Sequence, residues 1–180
     1  MADIWFISDT HFFHDNILHF KDDEGKNIRG QFSDVNQMNW TMVENWNSVV
    51  KPQDKVWHLG DVAFKTTSKA EEVSNLLRNL NGHKRLVVGN HDNLKAPALV
   101  NNFEKIELWK GFPNKYLESA FTCTHIPLRI DSLRDGKINV HGHLHQNLMK
   151  EKGYISVCVE HRNYTPVHLD QILKECKSQL

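Results

Sequence analysis

The chain has 180 residues, 39% hydrophobic and 24% charged, and its 22 basic and 22 acidic residues cancel. That composition describes one ordinary globular domain, residues 1–180, with enough chain for a substantial core. No apolar run approaches the ~20 residues of a membrane span, and the longest basic run is a pair such as Lys84-Arg85, which speaks against a nucleic-acid polymer as partner.

The N-terminal stretch Ile4–Ile7 is an apolar run that stops at the polar Ser8-Asp9-Thr10-His11, the pattern of a buried strand delivering a loop. No basic segment or long apolar core accompanies it, so no secretory signal is read. Gly25 to Gly30 reads as a turn or mobile loop. From Ser33, residues Val35, Met38, Met42, Trp46 and Val49 recur at helical spacing, and Pro52 lies just past the end. Lys55–Leu59 is a second strand, ending at Gly60-Asp61. Ser68 and Glu71 form a capping-box pattern for a helix whose face is Val73, Leu76, Leu77 and Leu80, stopped by Asn81-Gly82. Arg85–Val88 is a third strand and ends at Gly89-Asn90-His91-Asp92. The stretches 103–109, 120–124, 137–140 and 154–160 read as further strands, and Pro166 as the start of a helix through Val167, Leu169, Ile172, Leu173 and Cys176.

Early alternation of strand and helix argues for a parallel α/β sheet. The later strands imply a second, partly antiparallel sheet. The expected fold is a layered α/β/β/α sandwich of two mixed sheets flanked by helices. Cys123, Cys158 and Cys176 are odd in number, widely spaced and form no CxxC. They point to a reducing cytoplasm rather than a disulfide framework, with Cys123 and Cys158 as core thiols.

Histidine is the unusual residue type, at 12. In Asn139–Gln146 it occupies 141, 143 and 145, positions that share one face of an extended strand. Neutral imidazole is a common metal ligand, although a histidine-rich strand end fits the same pattern. The strand ends decide between these. Asp9 and His11, Asp61, Asn90 to Asp92, His125, and His143 with His145 each follow an expected strand. In parallel α/β sheets the site lies outside those carboxyl ends, and charge gathered so densely is costly unless paired or bound to metal.

Taken in order, Asp9-Thr10-His11, Gly60-Asp61, Gly89-Asn90-His91-Asp92, His125 and Gly142-His143-Leu144-His145 resemble the motif blocks of the calcineurin-like metallophosphoesterase superfamily. The stretches SDTHFFH, MVENWNSVVKP and NYTPVHLDQI look like its small bacterial and phage members. The resemblance implies a dinuclear site. Asp9, His11, Asp61 and His145 hold one ion; Asp61, Asn90, His125 and His143 hold the other; Asp61 bridges. It implies two divalent transition-metal ions, manganese first, with nickel, iron or zinc also suited to carboxylate and imidazole ligands. His91 then faces the substrate as acid or charge stabiliser, oriented by Asp92. His141 is left as a supporting or packing residue.

The implied activity is hydrolysis of small phosphodiesters or phosphomonoesters, nucleotides and cyclic nucleotides among them, by a metal-activated hydroxide. The G-N-H-D form, rather than G-N-H-E, is more like the diesterase and small-phosphatase branches than the protein phosphatases, and a diesterase is expected ahead of a monoesterase. A silent scaffold binding a protein partner, a structural metal module, and a nuclease on DNA or RNA are the alternatives. His14, Asn16, Arg29 and Arg129 are candidate substrate contacts, the arginines because the metals leave outer phosphate oxygens unclaimed. Phe12 and Phe13 could stack on a base or belong to the core. His19, His58, His83, His161 and His168 are read as structural or surface residues. Room for a cap is confined to 20–32 and 92–118.

Overall fold

A computed structural model describes residues 2–113, 120–133 and 138–179. Four short segments, β1 (Ile4–Ile7), β2 (Lys55–His58), β3 (His83–Val87) and β4 (Lys105–Glu107), line up in parallel. Parallel neighbours need crossover connections, here the helices α1 (Val35–Val49), α2 (Ala70–Asn79) and α3 (Pro97–Val100). A second sheet holds β5 (Lys110–Phe112), β6 (Phe121–Thr124), β7 (Ile138–His141) and β8 (Tyr154–Ser156), antiparallel only between β5 and β6. The two-residue β9 (Val167–His168) completes the first sheet antiparallel to β1, and α4 (Leu169–Gln179) packs on β8, β9 and β1. Two mixed sheets flanked by helices are therefore present, as the sequence predicts.

Strand alternation sorts the core into two layers. Ile7, Val56 and Leu86 face the helices and pack with Met42, Trp46, Val73, Leu77 and Leu99. Their neighbours Phe6, Trp57 and Val87 face the second sheet and meet Phe121, Cys123, Ile138, Val140 and Ile155, with Ile172 and Cys176 of α4. Where both faces are covered, at β1, the strand reads as a continuous apolar run, whereas the edge strand β4 keeps Lys105 and Glu107 and leaves Ile106 37% exposed. No helix of the described residues is long and apolar enough to cross a membrane.

Several boundaries differ from the sequence reading. The helix expected from Ser33 begins at Val35, capped by Asp34, whose side chain accepts from the N–H groups of Asn36 and Gln37. The capping box at Ser68 and Glu71 does not form: α2 follows Lys69, with no side-chain cap, and Lys69 N–H bonds the carbonyl of Lys65 in the preceding turn. Of the stretch 103–109 only Lys105–Glu107 is strand, as β4, and the next strand, β5, begins just past it at Lys110 in the other sheet. The strand expected to run to Glu160 ends at Ser156, and Val159–His161 is a 3-10 turn. Pro166 precedes β9 rather than a helix, since Val167 and His168 pair with Phe6 and Trp5. Lys137, the first residue of one expected strand, and 114–118 of the possible cap segment lie outside the described residues.

Candidate metal centre

Backbone hydrogen bonds bring the carboxyl ends of both sheets together. Ser8 N–H donates to Val157 O (3.0 Å) and Val157 N–H to His141 O (2.9 Å), stitching the end of β1 to the end of β8 and β7. Asp9 and His11 N–H groups donate to Gly60 O and Asp61 O, fixing the first loop against the second. The loops turn sharply: Asp9, His11, Asp61, His143 and His145 all have φ between 48° and 72°. Left-handed backbone costs a non-glycine residue about 1–2 kcal/mol, and such strain clusters at functional sites.

Two groups of potential ligand atoms result. Asp9, His11 and His145 lie within 4.8 Å of one another, and so do Asp61, His125 and His143. The Asp61 carboxylate stands between them, with Oδ2 3.6 Å from His11 Nε2 and 3.4 Å from His125 Nε2. Asn90 Oδ1 is 2.9 Å from His125 Nε2, which puts its amide beside the second group. His143 N–H donates to both oxygens of Asp9 at 3.1 and 2.9 Å. Two glycines make this density possible: a Cβ on Gly89 would lie 2.3 Å from Asp61 Oδ1, and one on Gly142 would lie 2.5 Å from Asp9 Oδ2.

The donors suit metal cations on this geometry. His11 is 3% exposed, yet neither ring nitrogen has a hydrogen-bond partner. An orphaned buried donor or acceptor is expensive, and a cation between carboxylates and imidazoles removes that cost. Burial holds the His11 imidazole down to about 2, so it is a neutral ligand. Burial also raises the Asp9 carboxyl, against the pull of His125 and His145, so a cation beside Asp9 favours its ligating anion. Asp61 sits well below its ordinary value: burial opposes ionisation, but hydrogen bonding and charge from His125 outweigh it.

Supporting contacts fix which nitrogen His125 and His145 present. His125 Nδ1 donates to Leu59 O (2.8 Å), leaving Nε2 toward Asp61. His145 Nδ1 lies 3.0 Å from Glu160 Oε1, and Glu160 raises His145 despite its burial. Glu160 in turn accepts from Arg29 Nε (2.9 Å) and Nη2 (2.7 Å). Although burial opposes its ionisation, Arg29 and His145 hold the Glu160 carboxyl at about 2. Such a carboxylate–histidine pair is the usual support for a metal ligand. Glu160 was not found from the sequence because it lies outside every motif block, in what reads as the tail of a strand.

Three expected placements change, and one open alternative is settled. Arg29 is no substrate arm: it is fully buried, and beyond Glu160 it donates to the carbonyls of Thr10 and Asp9 beneath the site. Arg129 points to solvent and pairs with Asp131, carried there by a turn in which Thr124 Oγ1 bonds Ile126 O and Leu128 N–H bonds Asn139. Asp92 does not orient the His91 ring. Its oxygens accept from the N–H groups of Gly89, Asp61 and Val62, pinning the third loop to the second. Phe12 and Phe13 are core residues.

His91 is exposed, its N–H held by Asp61 Oδ1 (2.9 Å) and its ring 5.9 Å from that of His11. His14 is half-buried beside His11, with no side-chain cap on the 3-10 turn Asp15–His19, where Asn16 is exposed. His141 stands outside both ligand groups, buried with Nδ1 on Gly142 O. Phe64, also unmarked in the sequence, packs its ring on His11, His14 and His91.

A family model described as calcineurin-like phosphoesterase matches residues 2–177. An uncharacterized protein of Methanocaldococcus jannaschii is 37% identical, over 97% of this chain and 91% of its own. The gene 66 protein of Mycobacterium phage L5 is 28% identical over 83% of this chain and 80% of its own. Among solved structures, a protein of unknown function from Aquifex aeolicus superposes with a TM-score of 0.72 at 26% identity, covering 97% of this chain and 99% of that one.

Proposed function

Since the chain belongs to the calcineurin-like phosphoesterase family, we propose that it is a single-domain metal-dependent hydrolase of small phosphate esters, preferring diesters to monoesters. The observation that carries this reading is the Asp61 carboxylate, set between two three-residue ligand groups at 3.6 and 3.4 Å from an imidazole of each. Asp9, His11, Asp61 and His145 would hold one divalent ion, and Asp61, Asn90, His125 and His143 the other. Bound there, the pair would supply Lewis acidity toward phosphate oxygens and a water of lowered pKa. Mixed carboxylate, amide and imidazole donors suit manganese, with iron, nickel and zinc as competitors.

The chain's own residues do the rest. His91, exposed at the rim and anchored through its N–H, stabilises the equatorial charge or gives its proton to the departing oxygen. Asp92 keeps the loop bearing His91 at a fixed distance from Asp61 by its three backbone contacts. Arg29 and Glu160 hold the His145 ring. Substrate reaches the site at the open side where Asn90, His91 and Asn16 are exposed. Three buried free thiols support a cytoplasmic setting.

The test is hydrolysis of an aryl phosphodiester and its monoester by EDTA-stripped protein resupplied with manganese, nickel, zinc or magnesium. Manganese should restore turnover, the diester should be cut faster, and Asp61→Asn and His91→Ala should each lower kcat at least ~100-fold. Tight manganese binding without turnover on either ester would refute the hydrolase.

A further inference from the structure

Outward from the ligand groups runs a continuous line of aromatic rings that the chemistry above leaves unused. The His91 and Phe64 ring centroids are 5.4 Å apart, those of Phe64 and His14 are 3.8 Å apart, and those of His14 and Phe20 are 5.5 Å apart. At its inner end the line touches His11, 5.5 Å from Phe64. At its outer end Phe20, a large apolar ring, is 47% exposed.

The backbone fixes these rings in place. Phe64 N–H bonds Phe12 O (2.8 Å), holding the loop after β2 on the loop after β1. Phe20 N–H bonds Ile17 O, and Phe20 O accepts from Ile28 N–H, so the Lys21–Asn27 turn anchors the outer ring. The rings are inclined to one another by 38°, 51° and 81° along the line, so the surface is corrugated, and a flat apolar group set against an exposed part of it would shed water and meet the rings face-on or edge-on at little conformational cost. An alkyl group of the same size would gain less, because its rotors would have to be frozen.

We propose that Phe64, His14 and Phe20 form a stacking wall that selects phosphate esters whose departing group carries a planar ring, an aryl group or a nucleobase. This rests on the phosphate-ester reading above and names the substrate class within it. With phosphate at the ligand groups, the ester oxygen lies near His91 and the ring attached to it extends along Phe64 and His14 to Phe20. The specificity comes from residues outside every ligand-bearing motif.

Calorimetric titration of the manganese-loaded protein with phenylphosphonate and methylphosphonate tests this without turnover. Phenylphosphonate should bind about tenfold tighter, the scale of one ring stacked on an aromatic side chain. Phe20→Ala and Phe64→Leu should each cut the phenyl-to-methyl affinity ratio at least about fivefold. Manganese affinity is measured in parallel, and Phe20, which touches no ligand residue in the line, decides if Phe64→Leu disturbs the metals. Adenosine 5′-monophosphate separates the two ring sources: tighter binding than phenyl phosphate marks a nucleobase, and equal binding a simple aryl group. Equal affinity for the two phosphonates, or a ratio unmoved by Phe20→Ala, would overturn the wall while leaving the phosphate-ester reading intact. Binding of neither phosphonate would remove that reading, and the wall with it.

Discussion

At the scale of single residues the candidate centre rests on groups buried beneath it. Arg29 and Glu160 form a buried ion pair that fixes His145 from behind. Removing one partner of such a pair leaves an uncompensated buried charge, which costs about 3–5 kcal/mol. Glu160→Gln should therefore lower thermal stability in EDTA and weaken manganese binding ~10–100-fold, as loss of a ligand's supporting carboxylate does. Unfolding scans with a manganese titration check both halves, and unchanged metal affinity would mean that His145 is oriented without Glu160. The candidate ligands are legible in the sequence because their chemistry is written in residue type. The pairing of Glu160 with Arg29 is not, since 131 residues separate them; alone, Arg29 reads as a phosphate contact and Glu160 as the tail of a strand.

At the scale of elements, short strands need anchoring at their ends. Asp54, buried in the turn before β2, accepts from Asp3 N–H (3.0 Å), Lys51 N–H (2.9 Å) and Trp5 Nε1–H (3.1 Å). It thereby ties the start of β1 to the exit of α1. Burial opposes its ionisation, but these donors win and hold its carboxyl below the ordinary value of 3.8. A depressed folded value contributes stability above pH 3.8 and loses it as pH falls through the folded value. Asp54→Asn should thus cost about 1–3 kcal/mol at neutral pH, and the gap from the parent should narrow below pH 3.8 in denaturant titrations. A gap constant with pH would show that the charge plays no part. Elements with long periodic faces, α1 and α2, are readable from sequence. The two residues of β9 and the four of α3 are too short to carry a period, and pairing or packing partners alone define them.

At the scale of the whole molecule, the two ligand groups join the sheets. β1, β2 and β3 deliver Asp9, His11, Asp61 and Asn90 from one sheet, while β6 and β7 deliver His125, His143 and His145 from the other. A cation held by both sheets binds the folded chain and not the unfolded one. Manganese at ~100 times its Kd should stabilise by ~2.7 kcal/mol, raising Tm by roughly 5–10 °C at this chain length. Scanning fluorimetry with manganese or EDTA reads the shift, which Asp61→Asn should largely abolish. An identical Tm in both would mean that no cation bridges the sheets.

The sequence by itself determined the layered α/β class and the residues that form the ligand groups. Apolar runs ending in Asp, Asn or His encode both the strand and its functional end locally, in adjacent positions. Only the tertiary structure decided what surrounds them: Asp92 as a pin between loops, Arg29 as a buried support, and Phe64 against three imidazoles. Those roles depend on which loops meet, and loops meet through backbone hydrogen bonds and left-handed turns that no side-chain pattern records.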